Sequence, residues 1–166
     1  MKIDILFLDN DLSGYEEYFD NEMINEYCET HSFEGKKNQL LSVPPSYSKS
    51  QNLTFLVGLG DNKVDNNFYD IGTLIGSKIK SDAEIKFLNF ENEKSLIIDG
   101  ILYAQYKFNS YKSEDDSSIN NITFKDIDSS VNEIKKDSVF WVRDLINTPA
   151  LDKSPEEFIN LSLIHI

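Results

Sequence analysis

The sequence holds a single cysteine, Cys28, among its 166 residues. No intrachain disulfide can form, so the fold must rest on its core. Histidine is nearly as scarce, with only His31 and His165. Cys28 and His31 lie close in sequence, but a structural zinc site usually needs four Cys or His ligands and the others are missing. The pair reads as a half-buried thiol beside a surface imidazole. Cationic residues are few: 16 Lys and Arg against 29 Asp and Glu leave a net charge of −13. Such a surface repels polyanions, which disfavours nonspecific contact with nucleic acid and with an anionic membrane. Long apolar runs are missing too, and none approaches the length that crosses a bilayer. The opening run, Ile3 to Leu8, is too short for the core of a signal peptide and is interrupted by Asp4. The expectation is a cytoplasmic protein with no nucleic-acid or membrane partner. On that expectation the sequons at Asn52, Asn121 and Asn160 are chance matches.

What is present suits one packed domain. Apolar residues make up 40% of the chain, with 11 Phe and 8 Tyr to supply buried area. Lys2 to Leu8 reads as a strand closed by a turn cluster. Tyr15, Phe19, Met23 and Tyr27 are spaced by four, which predicts a helix or two short helices with these four on the apolar edge. Gly35 to Ser50, with Pro44 and Pro45 adjacent, reads as a long connection carrying a short edge strand. Leu53 to Gly60 is a continuous apolar run, the pattern of a buried central strand.

Val64, Phe68, Ile71, Leu74, Ile75 and Ile79 follow helical spacing. Gly72 and Gly76 on the same helix predict close packing against the sheet. Ala83 to Phe90 follows as a strand, and Glu93 to Phe108 as a well-filled helix with Ile98, Ile101, Leu102 and Gln105 on one side. Asn121 to Phe124 is a short strand. Asp128 or Ser129 then caps a last long helix with Glu133 near its first turn. Val131, Ile134, Val142, Leu145 and Ile146 supply its apolar stripe. That helix ends near Asn147, because Thr148 precedes Pro149. Ser154-Pro155-Glu156-Glu157 restates a helix start. Strands alternate with helices, which predicts an α/β fold.

Few residues carry chemistry. Gly58 and Gly60, after a strand, could let backbone N–H groups approach a phosphate, with Lys63 as the nearby cation. A lone Gly-x-Gly is a weak dinucleotide signal, and a tight turn explains it equally. Ser113 to Ser118 is the densest acidic cluster, but it lacks the Gly and terminal Glu of a calcium loop. No spacing among the carboxylates singles out a metal cage, so the sequence nominates no catalytic, cofactor-binding or metal-binding residue in this chain.

One stretch is more specific. Arg143-Asp144-Leu145-Ile146-Asn147, then Pro149, then after a short spacer Pro155-Glu156-Glu157-Phe158, resembles the helix-exit segment of the cytosol, or leucyl, aminopeptidases. Asp99 to Ser113 and Phe55 to Gly60 are similar to further segments of that family, in the same order. The first fifty residues carry little resemblance beyond an opening strand.

The resemblance implies a macro-domain-like mixed sheet flanked by helices over residues 1–126, a long connecting helix over 127–148, and the start of a catalytic domain over 149–166. It implies a non-catalytic N-terminal portion that serves assembly and shapes access. Its partners would be its own catalytic domain and the other subunits of a hexamer. The parent would be a metallopeptidase that removes N-terminal amino acids from peptides with two divalent ions, zinc or manganese. The segments that hold those ions in the family do not occur here, so this chain alone is expected to be inactive. Residues 159–166 depart from the family pattern; the expectation is that the natural reading frame continues and that the last few residues are not native. Arg143 and Asn147 are expected to anchor the helix exit, the guanidinium through its donors and the amide by capping free backbone groups. The alternative is a free-standing macro-like module that binds a phosphate-bearing ligand at Gly58 and Gly60.

Overall fold

The computed structural model describes residues 1–61, 67–90, 93–109, 119–152, 154, 155 and 159. Among the described residues there are five strands and four helices. They are β1 (Lys2–Leu8), α1 (Asn21–Thr30), β2 (Leu40–Val43), β3 (Leu53–Gly58), α2 (Phe68–Lys78), β4 (Ala83–Phe87), α3 (Lys94–Tyr103), β5 (Ile122–Phe124) and α4 (Ser130–Asn147). The strands form one mixed sheet in the order β2-β3-β1-β4-β5. β1 runs parallel to β3 and β4, β4 runs parallel to β5, and only the edge strand β2 is antiparallel. The α/β expectation holds.

β1 lies at the centre of the sheet, and its side chains divide between two cores, as strand pleating requires. Ile3, Ile5 and Phe7 pack with Phe55 and Val57 of β3 against Ile71 and Ile75 of α2 and Ile97, Ile98 and Ile101 of α3. Leu6 and Leu8 point the other way, onto Ile24 and Cys28 of α1 with Phe19 and Phe33. The sheet is therefore layered on both faces, and Leu53 to Gly58 is the buried strand its apolar run predicts.

The structure corrects several local expectations. α1 begins only at Asn21, where the Asp20 carboxylate accepts from the Glu22 N–H at 3.2 Å. Tyr15 to Phe19 is a turn closed by a bridge between Phe19 and Ser48. The inward stripe of α1 is consequently Ile24 and Cys28, while Met23 faces solvent. Cys28 is buried rather than half-buried, and His31 is exposed. β4 stops at Phe87 and α3 at Tyr103, each shorter than its apolar pattern.

Gly72 packs against α3 rather than against the sheet. A Cβ on Gly72 would overlap the Ile97 carbonyl oxygen, and one on Gly100 would overlap that of Tyr69. Facing glycines let the two helix backbones touch. Val64, Ser113 to Ser118 and Glu156 to Phe158 lie outside the described residues.

Candidate functional site

Two places carry the residues that the sequence nominates for function. The first is the turn after β3. All three of its backbone N–H groups already have acceptors within the chain. Gly58 donates to the Gln39 carbonyl at 2.9 Å, Leu59 to that of Leu8 at 2.7 Å, and Gly60 to that of Gly35 at 2.9 Å. A Cβ on Gly58 would overlap the Lys36 carbonyl oxygen. The glycine admits the chain's own 35–37 segment, which occupies the approach a phosphate would need. Lys63 lies outside the described residues.

The second place is the seam between α3 and α4. Asp128 starts α4 by accepting from the Ser130 N–H at 3.0 Å, and that bond holds its carboxyl below the ordinary range. Ser129 donates to the Glu133 carboxylate at 2.9 Å. One turn in, Asn132 is buried. Its amide donates to Asp99 of α3 at 2.6 Å and to the Ser95 carbonyl at 3.0 Å. Lys135 reaches the same Asp99 carboxylate at 3.2 Å. Asp99 sits in the middle of a buried apolar run, where an ionised carboxylate needs partners; α4 supplies them.

Two turns further on, the Arg-Asp-Leu-Ile-Asn segment closes the seam. The Arg143 guanidinium donates to the Tyr103 carbonyl at 3.2 Å and lies over the Tyr103 and Tyr106 rings, 5.9 and 5.2 Å from their centroids. The Tyr106 hydroxyl donates to Asp144 at 2.9 Å and accepts from the Asn147 amide at 2.9 Å. Phe140 meets the Tyr106 ring edge-on. Burial, before any other cause, raises the pKa of both phenols above the ordinary tyrosine value. Tyr106 therefore stays protonated and keeps its donor role at neutral pH.

Arg143 and Asn147 anchor the helix exit as expected, with one difference. The Asn147 amide binds a phenol, and the last turn is capped instead by Thr148, whose hydroxyl donates to the Asp144 carbonyl at 2.7 Å. The Asp99–Asn132–Lys135 lock was not foreseen. Its signal was available in Asp99 itself, a carboxylate inside the run Ile97-Ile98-Asp99-Gly100-Ile101.

These polar contacts seat one side of α4. The other side carries exposed apolar residues. Of the predicted stripe, Ile134 is 68% exposed and Ile146 71%, and Val131 and Val142 are exposed as well. The arrangement can hold and present a helix. Among the described residues no group of three or more His, Cys, Asp or Glu could hold a metal ion.

No protein-family model and no curated protein matches the chain by sequence. Solved structures do match by shape. The neighbours are peptidases and a maturation enzyme. A mutant of tomato leucine aminopeptidase aligns over 93% of this chain and 37% of its own, with a TM-score of 0.62 and 14% identity. The cytosol aminopeptidase of Coxiella burnetii aligns over 95% of this chain and 34% of its own, at 0.63 and 19%. The bottromycin maturation enzyme BotP aligns over 96% and 35%, at 0.69 and 13%. At these identities the likeness is one of fold. The chain spans about a third of the length of each of these three structures. Among the described residues, no helix is long and apolar enough to cross a membrane.

Proposed function

We propose that this chain is the non-catalytic N-terminal portion of a metal-dependent leucyl-type aminopeptidase, and that it docks the catalytic portion through α4. The observation that carries the reading is the two-sided character of that helix. Its polar side is locked to α3 through Asp99, Asn132, Arg143 and Tyr106. Its apolar side, Val131, Ile134, Val142 and Ile146, is exposed. An exposed apolar stripe opposite a polar, seated side suits a covering partner surface and supports this reading. The fold likeness to leucine and cytosol aminopeptidases supports the identity of that partner.

On this reading residues 1–126 form the macro-like domain, 127–148 the connecting helix and 149–166 the threshold of the catalytic domain. The two divalent ions, zinc or manganese, and the peptide substrate belong to the portion beyond. The chain serves assembly of a cytoplasmic hexamer and shapes access to it. The coding sequence downstream of the Phe158 codon tests the proposal. It is expected to continue into a domain bearing metal-binding carboxylates, and a genuine stop codon after Ile166 overturns the reading.

A further inference from the structure

The chain's few cations are not spread evenly. Lys2 on β1, Lys86 on β4 and Lys125 just after β5 line one cleft of about 310 Å³ on the sheet face that carries Asp4. Among the described residues none of the three forms an ion pair. Lys49 shares the cleft but is tied to the Glu16 and Glu17 carbonyls at 2.8 and 3.2 Å.

Asp4 lines the same cleft and is only 3% exposed. Its Oδ2 accepts from the Ser50 hydroxyl at 2.6 Å and the Asn52 amide at 3.1 Å. Both donors are neutral, and no cationic side chain of the described residues pairs with it. A buried carboxylate normally has a cation or a full set of donors, and ionised it offers about four acceptor positions. Among the described residues this net −13 chain therefore sets a buried carboxyl group with no ion-pair partner beside lysines with none.

The charges alternate in the sheet register: Lys2 pairs with Glu84, and Asp4 with Lys86. A simple anion would meet Asp4, Glu17 and Glu84, which line the same cleft. A simple amine would meet the lysines. A molecule carrying both signs a few bonds apart satisfies both.

We infer that this cleft binds a free α-amino acid. Its ammonium meets Asp4, its carboxylate meets Lys86 and Lys125, and its side chain lies on the apolar wall made by Tyr18 and Leu88. The Tyr18 hydroxyl donates to the Leu88 carbonyl at 3.2 Å, which fixes that wall. The lysines are charge-assisted donors. The site lies within this chain and stands whether or not a catalytic portion follows α4.

Amide NMR titration of the chain with L-leucine tests it. Saturable shifts are expected at Lys2 to Asp4, Ser48 to Asn52 and Glu84 to Lys86. Acetate, methylamine, N-acetyl-leucine and leucinamide, which each lack one of the two charges, should bind at least about tenfold more weakly. Lys86→Gln with Lys125→Gln, both on exposed side chains, should weaken L-leucine by about tenfold or more while leaving the rest of the spectrum in place. Asp4→Asn should do the same, and if it fails to fold the double lysine variant decides. Absence of saturable shifts, equal binding of any one-charge probe, or undiminished binding in the lysine variant would overturn the inference.

Discussion

Gly72 and Gly100 face each other where α2 lies on α3, and backbone atoms occupy the space on both sides. Replacing Gly72 with Ala cannot be absorbed by rotating a flexible side chain, because the obstacle is the Ile97 carbonyl. Overpacking of this kind costs about 1–3 kcal/mol, and urea unfolding of Gly72→Ala should show a loss in or above that range. Cys28 behaves oppositely to a reactive thiol. Burial raises its pKa from 9.0 to about 11. Below pH 9.0 the thiol is neutral in both folded and unfolded chains, and burying it has no ionisation penalty. As pH rises from 9.0 toward about 11 the unfolded thiol ionises first, so this part of the stability is lost over that interval. An aromatic disulfide reagent at pH 8 should modify Cys28 only as fast as the protein opens. Immediate labelling of the native chain would contradict its burial.

At the scale of elements, α4 is held by polar contacts and exposes its apolar stripe. Asn132→Ala removes the Asp99 partner at 2.6 Å and strands a buried acceptor. The expected loss is about 1–3 kcal/mol in unfolding free energy, larger than for a typical exposed helix position. The paired substitution Ile134→Lys with Ile146→Lys should do the reverse. Both side chains are exposed, so unfolding free energy should change by no more than about 0.5 kcal/mol. Self-association of the purified chain, followed by light scattering, should fall as the apolar stripe becomes charged. A large loss of stability in that variant would mean that the stripe is already packed.

For the molecule as a whole, the matched structures are about three times its length and its described residues contain no metal-holding cluster. Hydrolysis by two metals requires several ligands fixed around ions about 3.5–4 Å apart. On the proposed reading, which places the metal ligands outside this portion, the purified chain is expected to show no turnover of a leucine–chromophore substrate with zinc or manganese added. Metal-dependent turnover that co-purifies with the chain through successive columns would place a catalytic site within it and end the assembly reading.

The sequence by itself determined the elements whose signal is local. Leu53 to Gly58 reads as a buried strand because every residue is apolar or β-forming. α4 ends at Asn147 because Thr148 is followed by Pro149. The Arg143 and Asn147 anchors were legible because a known segment carries them together. Tertiary structure decided what depends on neighbours remote in sequence. Periodicity put Met23 inward, but the Asp20 cap delays α1 and turns Ile24 and Cys28 to the core instead. The glycines of α2 announced a close approach without naming α3 as its partner. The apolar stripe on α4 was legible in the sequence, but not what seats the opposite side; the Asp99 lock and the Tyr106 contacts bring that polar side down onto the domain. A helical pattern states which residues share a face; only the charges and hydrogen bonds waiting on the facing element decide which face is seated.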